Sequence, residues 1–387
     1  MRIAIVHSYY GSDQPSGENL AVDAQRQALS EAGHDVALFS ASTDELARNP
    51  LYPIRAAAGV ATGHGRNPLR DVRRFAPDVV HVHNLFPNFG RAWVCRLEVP
   101  LIHTLHNYRP LCPAGTMYLA AQGSRAEDSC CVRCQNRPAV PAVIHRCYRG
   151  SALATLPVAV STKGVGRDPV LSSAALLFTL TPAMRDVYVA AGVDERRTVV
   201  VPNFVPRRLD GGPGPGSERW LYVGRLSPEK GIAQLLDGWP VDVPLTVVGR
   251  GPLLTDVRRR ARRGDIEIID RAGREQVAAL MRRSLGLVLP SRWLEGFPLV
   301  YAEALAAGLP VLAGPQNGIA SLVDADGTGA VFTGDLEADL ANAREVFPGL
   351  RAHCRGVFED RYTEDAHVRR LERLYASASS AGRDVIC

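Results

Sequence analysis

Glu295-Gly296-Phe297-Pro298-Leu299-Val300-Tyr301-Ala302-Glu303 holds two carboxylates eight residues apart, and its surroundings say where each one sits. The apolar run Leu285 to Ser291 before it predicts a strand. Pro298 suits the first position of a helix and Gly308 the left-handed residue after its last turn. Glu295 then falls in the loop between strand and helix, while Glu303 rides on the helix about one and a half turns in. A strand end, a loop carboxylate and a helix start together form a corner that can hold sugar hydroxyls while the helix dipole faces a phosphate.

Outward from this corner the same pattern repeats along the whole chain. Before it, Arg2 to His7, Val36 to Phe39, Val79 to Val82, Leu101 to Leu105, Ala175 to Leu180 and Val199 to Val201 read as strands, spaced by helical stretches such as Asn19 to Ala32. A Gly- and Pro-rich segment, 206–218, reads as a linker. After it, Trp220 to Val223, Leu245 to Val248, Ile266 to Ile269, Leu285 to Leu289, Pro310 to Leu312 and Ala330 to Phe332 start a second series. The fold class is therefore α/β, with two Rossmann-like domains, 1–205 and 219–360, and a cleft between them. The 387 residues suit two cores better than one. An amphipathic helix at 361–378 follows, and the tail beyond it is expected to be loose.

Composition narrows the function classes. With 46% hydrophobic and 22% charged residues the chain is globular rather than disordered. A net charge of +5 is too small for a dense nucleic-acid stripe, and Arg258-Arg259-Arg260 reads as a solvated helix face. No apolar run reaches the ~18 residues of a membrane span and no leader opens the sequence, so a cytoplasmic protein is expected, with contact at the inner face of the membrane left open. Lysine occurs only at Lys163 and Lys230, which draws attention to Lys230.

Ligands of open α/β sheets bind beyond the carboxyl ends of strands, so the residues just after each strand are the candidates. After the first strand of the second series comes Gly224-Arg225-Leu226-Ser227-Pro228-Glu229-Lys230-Gly231. Here Arg225 offers a planar fork and Lys230 a point charge, a pair suited to a diphosphate. After the next comes the small turn Gly249-Arg250-Gly251-Pro252. In the first half, Gly17 precedes a helix after Pro15 and Ser16, and two strands end in His81-Val82-His83-Asn84 and His103-Thr104-Leu105-His106-Asn107. One histidine of such a set is expected to pack and another to face the cleft.

Taken together, Val223 to Gly231, Val248 to Leu253 and Pro290-Ser291-Arg292-Trp293-Leu294-Glu295-Gly296-Phe297-Pro298 continuing to Glu303 resemble glycosyltransferase family 4. The resemblance implies the GT-B fold of two facing Rossmann-like domains and sugar transfer from a nucleotide donor, a UDP- or GDP-sugar, with retention at the anomeric carbon. It implies that Glu303 holds the ribose, Glu295 the donor sugar, Arg225 and Lys230 the diphosphate, and that His106 lies beside the sugar. Gly17, Gly224, Gly249 and Gly251 would approach the donor through backbone. Pro298 departs from the glycine of many relatives, so donation there falls to Phe297, Leu299 or Val300. In this fold the acceptor, a glycan, a lipid-linked glycan or a small molecule, binds the first domain, and the last helix crosses back to it.

Five of eight cysteines fall between Cys112 and Cys147, within a loop spanning 109–150. Cys112, the pair Cys131 and Cys134, and Cys147 have the count and spacing of a structural zinc site; free core thiols are the alternative reading, and Cys130 or His145 could compete as ligands. Arg109, Arg146 and Arg149 nearby could meet an anionic acceptor. Asp324-Ala325-Asp326 reads as a surface turn, and no catalytic metal is expected. Two other functions share this architecture: a nucleotide-sugar epimerase or phosphorylase, and a non-catalytic nucleotide-sugar binding protein.

Overall fold

In the computed structural model the described residues are 1–12, 17–119, 130–207, 212, 214 and 216–380. Parts of the expected linker, the middle of the cysteine-rich loop, Pro15 and Ser16, and the end of the tail lie outside them. The chain divides into two compact units. One holds Met1–Leu119, Cys131–Pro202 and the last helix from Val368, and the other holds Asn203–His367.

The first unit is built on six parallel strands, β1 Arg2–Tyr9, β2 Asp35–Ser42, β3 Val79–Asn84, β4 Leu101–Leu105, β5 Leu176–Thr179 and β6 Thr198–Val200. They lie in the order β2-β1-β3-β4-β5-β6. Ile3 to Ser8 of β1 are all fully buried, as expected for a central strand covered on both faces. The β1–β3 register slips between Val6 and His7, which sets His7 opposite Asn84.

The second unit repeats the plan with β7 Trp220–Val223, β8 Leu245–Val248, β9 Ile266–Ile269, β10 Leu287–Leu289, β11 Val311–Ala313 and β12 Gly329–Val331, in the order β12-β11-β10-β7-β8-β9. All twelve strands read from the sequence are present, with ends moved by a few residues at most. Strand order reverses between β1 and β3 in one sheet and between β7 and β10 in the other, and crevices open at such points. The second core centres on Trp220, 1% exposed, with Trp239 edge-on at 6.3 Å and Phe347 at 5.6 Å. Truncating Trp220 to alanine would cost about 3 to 5 kcal/mol.

The helix after Glu295 spans Leu299–Ala306, so Pro298 is its cap rather than its first helical residue. Its end has the expected left-handed glycine: Gly308 has φ +64°, its N–H reaches the Leu305 carbonyl at 2.9 Å, and the Leu309 N–H reaches that of Ala304 at 2.8 Å. The final helix runs Glu364–Ser380, following a longer helix over Leu336–Arg361. Its Tyr375 is buried against the first sheet, with its hydroxyl 2.7 Å from His81 Nδ1, and Glu372 pairs with His34 at 3.0 Å. Among the described residues no helix is long and apolar enough to cross a membrane.

Candidate active site

At the β7–β10 crevice, the turn Pro228–Lys230 follows β7 and delivers the Lys230 ammonium to the loop after β10. Its Nζ lies 2.6 Å from Glu295 Oε2, with side chains only 22% and 6% exposed. The other carboxylate oxygen of Glu295 accepts from the Ser291 hydroxyl. Lys230 also lies 5.7 Å from the centroid of the Trp293 ring.

Two glycines make this geometry possible. Gly231 has φ +69°, and a Cβ there would lie 2.0 Å from the Pro290 carbonyl oxygen, so the β7 and β10 loops can meet only through glycine. A Cβ at Gly249 would lie 1.9 Å from the Gly224 carbonyl oxygen. Gly249 is therefore required by packing of the β8 turn on the β7 loop, a reason independent of any ligand. Gly251 packs in the same way against Leu226.

Lys230 thus has a partner that the sequence reading did not foresee. An ammonium carries three N–H donors and the ion pair uses one of them, so its remaining donors can still meet an anion. Arg225 is exposed at the end of β7, and its backbone carbonyl accepts from the Tyr222 hydroxyl at 2.9 Å. Glu303 is half-buried on the helix Leu299–Ala306. Burial pushes its carboxyl above the usual range, with Arg274 opposing. Phe297 is buried against Tyr301 and Tyr362, so its side chain serves the core. The first N–H groups of the helix, from Leu299 and Val300, have no acceptor within it.

The β1–β3 crevice of the first unit is built from histidines instead. Gln25 Nε2 lies 3.2 Å from His81 Nδ1 and 3.1 Å from His83 Nε2, and His83 Nδ1 lies 2.9 Å from His106 Nε2. Burial holds His83 and His106 well below the ordinary histidine pKa, with neighbouring imidazoles adding to the shift. Burial thus favours the neutral form of both rings, and with the Gln25 amide nitrogen facing them the hydrogen-bond network implies their tautomers. An amide nitrogen only donates, so His83 accepts at Nε2, donates from Nδ1 to His106 Nε2, and leaves His106 with its proton on Nδ1. Burial also lowers the pKa of His7, to about 4, while its Nε2 bonds Asn19 at 3.0 Å.

His106 lines a cavity of about 90 Å³ with His83, His103, Asn107, Arg109 and Phe86. The Arg109 guanidinium stacks over Phe86 at 3.9 Å and donates to the Pro113 carbonyl at 2.9 Å. Arg146 and Arg149, grouped with it in the sequence, are exposed. Gly17 opens the helix Gly17–Glu31. Next to it Glu18, which sequence reasoning passed over, accepts from Asn107 Nδ2 at 3.4 Å, and burial raises its pKa to about 8 against the lowering influence of Arg109. The missed signal was an acid in the first helical turn directly after that glycine.

The four cysteines of the zinc expectation lie near enough to act electrostatically on one another, Cys112, Cys131 and Cys134 all bearing on Cys147. Cys112, Cys131, Cys134 and Cys147 are free thiols. Among the described residues, however, no group of three or more His, Cys, Asp or Glu is placed to hold a metal ion. Cys134 is instead buried with Ala139, Ala142 and Ala159, where it accepts the Ala142 N–H, and burial raises the Cys147 thiol to about 11. Burial therefore favours the protonated thiol at both positions. Outside that loop Cys95 is disulfide-bonded. Asp324 and Asp326 belong to the end of a short helix, Ala320–Ala325, rather than to an open turn, and Asp326 pairs with Arg361 at 2.6 Å.

Comparisons with known proteins agree across both units. Residues 17–208 match the family described as Glycosyltransferase Family 4, and residues 211–345 match Glycosyl transferases group 1. The chain is 26% identical to the glycogen synthase of Mycobacterium tuberculosis, over 93% of this chain and 86% of that one. It is 25% identical to the phosphatidyl-myo-inositol mannosyltransferase of Mycolicibacterium smegmatis, over 99% of this chain and 95% of the relative. In fold it resembles the Anabaena protein HepE solved in complex with UDP-glucose, with a TM-score of 0.62, 17% identity, and coverage of 97% of this chain and 100% of that one. The chain belongs to the family 4, group 1 glycosyltransferases and has their GT-B fold.

Proposed function

We propose that this glycosyltransferase moves a hexose from a UDP- or GDP-sugar to a glycan, lipid-linked or small-molecule acceptor, with retention at the anomeric carbon. The observation that carries the reading is the Lys230–Glu295 pair, held at 2.6 Å in the β7–β10 crevice beside the start of the helix Leu299–Ala306. A buried carboxylate bound to a lysine and a serine keeps a fixed orientation, which suits binding of sugar hydroxyls. The ammonium beside it suits the phosphate from which that sugar departs.

In the reaction the bond between the anomeric carbon and the diphosphate oxygen breaks, and negative charge grows on the leaving group. Lys230, Arg225 and the helix start stabilise that charge without reorganising. The acceptor oxygen bonds to the same face of the anomeric carbon, and its proton passes to a phosphate oxygen of the departing diphosphate. Glu303 binds the ribose, Glu295 the sugar hydroxyls, and His106 donates from Nδ1 to a hydroxyl. This assignment needs no covalent nucleophile.

Two kinds of support stand behind this reading. Relatives over most of the chain are named as sugar-transferring enzymes of glycogen and of phosphatidyl-myo-inositol, and a protein of the same fold was crystallised with UDP-glucose. The test is to incubate the pure protein with a panel of nucleotide sugars, with and without cell-derived acceptors, following nucleoside diphosphate release and product mass. Acceptor-dependent release with a product of unchanged anomeric configuration is expected. Product without acceptor, cleavage that needs inorganic phosphate, donor binding without turnover, or inverted product would each overturn it.

A further inference from the structure

The first unit carries a surface that the transfer reaction does not use. From Cys130 to Arg167 the sequence contains no Asp or Glu, yet it holds Arg133, Arg137, Arg146, Arg149, Lys163 and Arg167. All six are exposed. Among the described residues none of them forms an ion pair with a carboxylate.

Apolar side chains lie exposed among these cations. The helix Ala152–Ser161, ALATLPVAVS, has no charged residue. It buries Thr155, Val158 and Ala159 and turns Leu153, Leu156 and Val160 outward, at 85%, 50% and 50% exposure. Those three are spaced i, i+3, i+7 and so form one stripe. The neighbouring helix Val140–Ile144 adds Val140 at 58% and Ile144 at 71%. Between the two helices runs a groove of about 600 Å³ whose floor includes Val143 and Ala159 and whose rim carries Arg137, Lys163 and Arg167.

Water is a poor solvent for so many exposed aliphatic side chains, and a patch of this kind marks an interaction site. The partner must accept aliphatic groups and also present a negative surface, since six exposed cations stand in a stretch of sequence that has no carboxylate of its own. We propose that this face docks on an anionic lipid bilayer, with the Leu153, Leu156 and Val160 stripe entering the headgroup–acyl boundary and the cations meeting lipid phosphates. Docking there is independent of the donor chemistry assigned to the second unit.

Flotation of the full chain with vesicles tests the proposal. Vesicles of one part phosphatidylglycerol to two parts phosphatidylcholine should bind about tenfold or more of the protein bound by phosphatidylcholine alone, and the difference should shrink as salt rises. Leu153→Glu should lower binding about tenfold, and so should the double change Arg137→Gln with Lys163→Gln, both with unfolding temperatures unchanged. Leu153→Trp should shift its fluorescence to the blue on the anionic vesicles, a readout that does not depend on losing function. Equal binding to both vesicles, an unshifted tryptophan, or a dimer in light scattering that Leu153→Glu dissolves would overturn the proposal; the last would make the face a contact between copies of the chain.

Discussion

The two crevices have the same origin, a reversal of strand order in a six-stranded parallel sheet, and opposite electrostatics. Between β1 and β3 the chain places His83 with His7 close by, and Gln25 links it to His81 while His106 extends the chain from β4; burial lowers the pKa of His7, His83 and His106. Between β7 and β10 it places Lys230 against Glu295, with Arg225 exposed nearby. Topology thus fixes where a ligand can go, while the residues beyond each strand end fix what kind. Neutral imidazoles suit uncharged hydroxyls. Fixed cations suit phosphates.

The largest expected effect breaks the charged crevice. Lys230→Ala should lower kcat about 10²- to 10³-fold with a smaller change in KM, because the charge matters most as the diphosphate leaves. It should also destabilise by about 3 kcal/mol, since Glu295 is left buried without its partner. Lys230→Met combined with Glu295→Gln should regain much of the stability and none of the activity. If KM alone moved in steady-state kinetics, the leaving-group role would be wrong.

The neutral crevice has its own signature in pH. His7 titrates at about 4 when folded against 6.5 in an unfolded chain, so it contributes stability that is full above pH 6.5 and lost as pH falls toward 4. The loss is about 3 kcal/mol for this group, and the lowered His83, His103 and His106 act in the same direction. Glu18, raised from 4.5 to about 8, has the opposite sign, its contribution present below pH 4.5 and lost as pH rises toward 8. Thermal unfolding from pH 7 to pH 4 should therefore show a steep fall that His7→Gln makes shallower. An identical profile for the variant would show that His7 is not the group responsible.

Smaller effects sharpen the division of labour. Glu303→Ala should weaken binding of free nucleoside diphosphate about thirtyfold, the equivalent of about 2 kcal/mol for lost charge-assisted hydrogen bonds to ribose. Unchanged affinity by calorimetry would remove Glu303 from the nucleotide. Gln25→Leu leaves His83 free to change tautomer, so kcat should fall about tenfold with KM little altered, whereas Gln25→Asn should fall less. Equal loss in both variants would mean that Gln25 only packs.

Much of this was legible in the sequence because it is local. Strands such as Trp220–Val223 and Leu245–Val248 are buried on both faces and read as largely apolar runs, and Gly308 and Pro298 mark the ends of the helix between them in sequence. What could not be read are the pairings that join distant segments. Lys230 and Glu295 are 65 residues apart, and Gln25 and His83 are 58 apart. The cysteines show the same limit from the other side: their spacing suggested a metal site, and it could not show that Cys134 is buried among alanines.

The sequence by itself determined two parallel α/β sheets, their punctuation, and the residue types beyond each strand end, because periodicity, turn chemistry and strand-end position act within a few residues. Only the tertiary structure decided that Lys230 stands paired, that a glutamine links His81 to His83 and orients the ring that meets His106, that Cys134 is buried among alanines, and that Arg137, Lys163 and Arg167 line one groove with Val140, Leu156 and Val160. Those outcomes depend on burial and on distances between segments far apart in the chain, and both appear only once the strands have found their order.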